Sequence, residues 1–272
     1  VIETRGLTKK YGEVNSVSNL SIHVKKGRIY GLLGRNGAGK TTTMRMLLGL
    51  TAPSSGEVKI WGRPLRGNER NILPRIGSLI ESPGFYPNLT GTENLRIFAD
   101  LRGLKSSRFI KDALEVVNLP YRDKKLFSQY SLGMKQRLAI ALAVMHNPEL
   151  LILDEPINGL EIALLADDIG IIDHGILLEE ESLEELEAKN GKYFRFTVSN
   201  APTAARLLES RLGVQNIQVD NANGLTVRSP HLDAGEAVRL FVEAGLAVSD
   251  AHLYEDTLED YFKQVTGGEG IA

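Results

Sequence analysis

The sequence predicts an α/β fold followed by a small α+β unit. Three observations carry this. A compact apolar run at 29–33 ends in a glycine-rich turn and opens a helical pattern. A second apolar run at 150–153 ends in Asp154 and Glu155. Between 194 and 253, period-2 and helical patterns alternate in the order βαββαβ.

Residues 1–60 read as short strands joined by polar turns. The run at 29–33 has the character of a buried strand. The helix at 41–50 places Met44, Leu47 and Leu48 on one face, and Pro53 and Gly56 end it. Strands are expected at 58–61 and 75–80. Thr90 and Glu93 form a capping box that opens a helix to Arg102. Further helices are expected at 108–118 and 134–145, the latter apolar enough to be buried. Residues 169–172 and 176–178 read as a hairpin turning at His174-Gly175. The acidic stretch 179–187 reads as a solvated helix. Beyond it, strands at 194–198, 214–219, 225–228 and 246–253 and helices at 204–212 and 237–244 suggest a ferredoxin-like sandwich of about 60 residues. A helix at 257–265 closes the chain. The expected domains are 1–188 and 192–272.

Of 272 residues, 42% are hydrophobic and 24% charged, as in ordinary globular proteins. Net charge is −2, from 32 basic and 34 acidic side chains, so no nucleic-acid partner is indicated by bulk charge. With no cysteine, disulfides and thiolate metal sites are excluded. A membrane span needs roughly 20 apolar residues in a row. The longest run, 138–145, is far shorter, so any membrane span is expected from another chain.

The chemistry centres on Gly34, Arg35, Asn36, Gly37, Ala38, Gly39, Lys40 and Thr41, which fit G-x-x-x-x-G-K-[ST] between a strand and a helix. Glycines let backbone N–H groups turn inward around phosphates, and the helix N-terminus favours an anion. Lys40 can neutralise terminal phosphates, Thr41 can ligate Mg²⁺, and Thr42 can donate near the α-phosphate. The alternative is a strand–helix turn that binds nothing. Asp154 stands where such folds hold Mg²⁺, and Glu155 can orient or deprotonate an attacking water. Its alternative is an acidic turn after a core strand.

These residues resemble the nucleotide-binding subunits of ABC transporters, a P-loop NTPase fold with a helical subdomain. The resemblance rests on 34–42, on the signature-like run 130–137, on 150–156 and on Tyr11-Gly12. The wording of 81–90 and the C-terminal unit look most like the bacitracin- and lantibiotic-export branch. The resemblance implies ATP and Mg²⁺ as ligands, and stacking of Tyr11 on adenine. It implies a head-to-tail homodimer in which Ser131 and Gly133 of one copy close over nucleotide held by residues 34–42 of the other, Asn36 and Ala38 included. It also implies a separate transmembrane permease as partner, a peripheral place on the cytoplasmic face of the membrane, and a link to antibiotic resistance. Tyr11 reads alternatively as a core tyrosine, and Ser131 as an ordinary helix cap.

The sequence departs from the family pattern in three places. Leu132 replaces the first glycine of the signature. Glu81 stands where the family commonly has glutamine; the resemblance makes it a catalytic and metal-site residue that senses the γ-phosphate and signals to 82–89. An exposed loop acid is its alternative reading. After Leu160 the family continues through a helix to a strand bearing a catalytic histidine. A strand–helix–strand crossover takes roughly 30 residues, yet only eight separate Leu160 from Ile169. Either the chain lacks the segment, or a longer chain carries it and a break falls at 160/161. His174 lies in a hairpin turn and does not replace that histidine; His146 reads as structural.

Three functions follow. The first is an ATPase powering export of peptide antibiotics or other amphiphiles. The second is a soluble ABC-type ATPase without a transport role. The third is a nucleotide-binding regulator that does not hydrolyse.

Overall fold

A computed structural model describes residues 1–154, 165–189, 192–229, 232–255 and 258–267. Glu155 and the 160/161 junction lie outside the described residues. The chain divides into compact units at Glu180/Glu181. This is earlier than the 188/192 boundary read from composition.

In the first unit, β1 (Ile2–Tyr11) pairs antiparallel with β2 (Val14–Leu20), β3 (His23–Val24) and β5 (Ser55–Ile60), and β6 (Arg63–Pro64) extends β5. The chain then forms β4 (Tyr30–Leu33), the phosphate loop and helix α1 (Lys40–Leu47). After α2 (Glu69–Ile72) comes β7 (Ile76–Leu79). Its parallel partner is β8 (Leu150–Leu153), with Leu79 opposite Leu153. Strand β4 pairs in parallel with β9 (Asp168–Asp173), and β10 (Ile176–Ser182) flanks β9.

These two groups, β10-β9-β4 with its parallel β9–β4 pair and the parallel pair β7-β8, are not hydrogen-bonded to one another among the described residues. They nonetheless share one core, in which Ile76 and Ile152 pack with Ala38, Met46 and Ile172. Each side chain of this size, once buried, contributes about 1.5–3 kcal/mol. In β8, Ile152 is buried while Leu151 is 40% exposed, unlike the continuous burial expected of a central parallel strand.

A second core lies under α3 (Gly91–Leu101), α4 (Arg108–Val116) and α5 (Leu132–Val144), around Leu95, Leu114 and Leu138. The capping box at α3 is present: Glu93 N–H donates to Thr90 Oγ1, and Thr90 N–H donates to Glu93 Oε2. Buried Asn94 accepts from Tyr86 N–H at 2.7 Å and donates to Tyr86 O at 3.0 Å, fastening the loop before α3.

The β9–β10 hairpin turns at His174 (φ 46°) and Gly175 (φ 79°). Positive φ at both central residues matches the twist of flanking strands. The acidic stretch that reads as a helix from 179 continues β10 to Ser182, and only α6 (Leu183–Lys189) is helical. Glu180 explains this. It accepts from Tyr30 Oη at 2.9 Å and from His23 N–H at 2.8 Å, tertiary contacts that override local propensity.

The second unit contains β11 (Lys192–Val198), α7 (Ala201–Leu212), β12 (Ile217–Val219), β13 (Gly224–Val227), α8 (Ala234–Glu243) and β14 (Val248–Glu255). Helix α9 (Leu258–Val265) follows. The sheet order is β12-β13-β11-β14, all antiparallel, the arrangement of a ferredoxin-like sandwich. Phe196, Val198 and Leu225 pack with Leu208 of α7 and Phe241 of α8 in one core, so both helices cover the same face.

Candidate functional site

The phosphate loop is held from behind. A Cβ on Gly34 would stand 2.4 Å from Ile172 O, and one on Gly39, where φ is 105°, would stand 2.6 Å from Ser16 O. Only glycine permits these approaches. Gly175 N–H donates to Ala38 O at 2.9 Å, tying the β9–β10 turn to the loop. Arg35 makes the firmest link: its guanidinium donates to Asp173 at 2.9–3.1 Å through Nε and Nη2. These bonds hold the Asp173 carboxyl below the usual carboxylate range, with nearby His174 adding to the effect. Arg35 had no role on sequence grounds, because its partner lies 138 residues away.

Helix α1 begins at Lys40 with Gly39 as N-cap, and no side chain caps it. Its first amides are therefore directed at the loop, as an anion site requires. Lys40 Nζ folds back onto Gly34 O at 2.6 Å and Arg35 O at 3.2 Å, within the loop it is expected to serve. Ala38 is buried, whereas Asn36 and Gly37 are exposed at the tip. Thr42 Oγ1 and Ser16 Oγ are 3.0 Å apart, which brings β2 to the site.

Thr41 Oγ1 donates to Asp154 Oδ2 at 2.6 Å, joining the start of α1 to the end of β8. The other oxygen, Asp154 Oδ1, is buried with no hydrogen-bond partner. An orphaned buried carboxylate oxygen is costly in isolation. One carboxylate and one hydroxyl also form the small protein donor set that Mg²⁺ shares with phosphate oxygens. The residues present thus fit a divalent cation bound with a nucleotide.

Glu81 does not join this pair. Its carboxylate engages Arg45 of α1, and its side chain is 72% exposed. Tyr11 ends β1 opposite Val14, 50% exposed, with Lys9 Nζ 4.9 Å from its ring centroid. That exposure excludes the core-tyrosine reading. Ser131 is the N-cap of α5, accepting from Met134 N–H at 3.3 Å. Leu132 is 76% exposed, and a Cβ on Gly133 would meet nothing within 4 Å. The start of α5 is therefore open. His146 donates through Nε2 to Ile76 O at 3.2 Å, a structural bond. Burial first, and Arg102 second, push its pKa down. No helix among the described residues is long and apolar enough to cross a membrane.

Comparison with known proteins agrees with this geometry. The family model described as ABC transporter matches residues 17–158. The bacitracin transport ATP-binding protein of Enterococcus faecalis is 45% identical, with 100% of this chain and 98% of that protein covered. That alignment runs over 303 positions against the 272 residues of this chain, so at least 31 residues of the relative have no counterpart here. Among solved structures, an ATP-binding subunit of an ABC transporter superposes with a TM-score of 0.60 at 25% identity, covering 70% of this chain and 92% of that one. A dimeric ATP-binding cassette with ADP and Pi gives 0.58 at 21% identity, covering 67% and 99%, and shares the fold. With the phosphate loop, the acidic strand end and this similarity in hand, the chain belongs to the ABC transporter family of ATP-binding proteins.

Proposed function

We propose that this chain is the ATP-binding and ATP-hydrolysing subunit of a membrane exporter. The observation that carries the reading is the Thr41–Asp154 bond, which brings a phosphate-binding helix end to a half-buried carboxylate with one buried oxygen to spare. Lys40 and the amides of α1 bind the triphosphate; Thr41 and Asp154 hold Mg²⁺, which supplies charge neutralisation on the phosphate oxygens. Glu155 accepts a proton from the water that attacks the γ-phosphorus, and ADP leaves. A second copy closes over the nucleotide with Ser131 and Gly133, and Tyr11 stacks on adenine. A separate permease supplies the membrane spans and holds the chain at the cytoplasmic face. The named substrate of the relative is bacitracin, and peptide antibiotics or similar amphiphiles are the substrate class proposed here. Calorimetry with ATP and Mg²⁺ tests the site: the native chain binds, and Lys40→Ala does not.

Phosphate release by the native chain under saturating Mg–ATP tests hydrolysis directly.

A further inference from the structure

Helix α1 presents two side chains to two acidic groups. Thr41 and Arg45 are four residues apart, hence on one face, about 6 Å along the axis. Thr41 donates to Asp154, and Arg45 Nη2 donates to Glu81 Oε1. The strands carrying the two acids are parallel neighbours: Leu79 lies opposite Leu153, and Asp154 N–H donates to Leu79 O at 2.7 Å. Glu81 therefore stands just past the strand end whose neighbour carries Asp154. Arg45 thus holds this carboxylate one helical turn from Thr41, the residue that reaches Asp154. Neither Arg45 nor Glu81 is locked in a core, since their side chains are 41% and 72% exposed. An exposed ion pair is weak enough to exchange partners.

We propose that Arg45 is a positioning residue that holds the Glu81 carboxylate away from the Thr41–Asp154 site until a divalent cation arrives with the nucleotide. Cation binding and the Arg45–Glu81 pair then compete for one carboxylate. The competition lowers the cation's contribution to ATP affinity and makes the position of Glu81 report the loaded state. This rests on the Mg–ATP reading of 34–42 and Asp154.

The readout is the ratio of ATP dissociation constants without and with Mg²⁺, measured by calorimetry on the full chain in EDTA and in excess Mg²⁺. Loss of positive charge weighs more on metal-free ATP than on its Mg²⁺ complex, so the Glu81→Gln background supplies the control for it. Arg45→Gln is expected to raise it about two- to five-fold, the range an exposed pair supports. Arg45→Lys keeps it near the native value. Glu81→Gln lowers it and abolishes the effect of Arg45→Gln in the double variant. An unchanged ratio in Arg45→Gln, or an equal rise in the Glu81→Gln background, overturns the proposal. Should Arg45→Gln not fold, a native ratio in Glu81→Gln overturns it alone. A native chain that binds ATP equally with and without Mg²⁺ defeats the cation-site reading itself, which is a different result.

Discussion

Thr41 and Asp154, 113 residues apart in sequence, share a 2.6 Å hydrogen bond, and it occupies only one of the two carboxylate oxygens. The partnerless Oδ1 makes Asp154 costly to the fold. Asp154→Asn is therefore expected to leave thermal stability equal or slightly higher. The same variant should reduce the Mg²⁺-dependent gain in ATP affinity about ten-fold or more. Calorimetry beside a melting curve checks both; a stability loss with normal Mg²⁺ dependence would make Asp154 a structural residue.

Arg35 and Asp173 supply the next expectation. Both side chains are mostly buried, at 21% and 13% exposure, and their bonds are charge-assisted. Arg35→Ala should cost about 1–3 kcal/mol in denaturant unfolding. It should also weaken ATP binding, because the loop loses its link to the β9–β10 turn. The pH sign follows from the lowered Asp173 pKa. The carboxylate's contribution is complete above its unfolded pKa of about 3.9 and is lost as pH falls through the lower folded value. Native and Asp173→Asn stabilities should therefore differ by a constant above about pH 4 and converge below it.

His146 shifts in the same direction for a different reason, because burial favours its neutral form. Its folded pKa lies below the ordinary histidine value, so the unfolded chain binds the proton more readily. Stability should fall as pH drops below about 6.5, until the folded imidazole also protonates. His146→Gln should flatten that part of the profile. A profile identical to the native one would remove His146 from the account.

Gly133 tests the proposed closure by a second copy. A Cβ there meets nothing within 4 Å, and alanine is the better helix former. Gly133→Ala should leave the monomer's unfolding within about 0.5 kcal/mol of native. If nucleotide is enclosed against α5 of another copy, ATP-dependent dimerisation measured by light scattering should weaken. Unchanged dimerisation would place the closing surface elsewhere.

Local chemistry was legible in the sequence, and distant pairings were not. The phosphate loop, the Thr90–Glu93 box and the His174-Gly175 turn each depend on residues within a few positions, so spacing alone identifies them. The alternation of Phe194, Phe196 and Val198 with the turns between strands was enough for the βαββαβ order. Arg35–Asp173 and Arg45–Glu81 have no such period, because topology rather than spacing brings them together. The stretch from 179 misled for the same reason. Its charges look solvated until Tyr30 and His23 are seen to hold Glu180 in a strand.

The unjoined parallel groups make the last expectation. In a parallel ladder, alternate residues direct N–H and C=O to opposite neighbours. Asp154 N–H reaches Leu79 O on β7, so Ile152 N–H points the same way, and Leu151 and Leu153 point away from β7. No described strand receives them there. Amide hydrogen exchange should therefore be fast at Leu151 and Leu153 and slow at Ile152 and Asp154. Pairing this edge with a further strand should slow the first pair and raise stability, since an open apolar strand edge is a liability. Equal protection at all four amides in the native chain would mean that β8 is already paired on both sides.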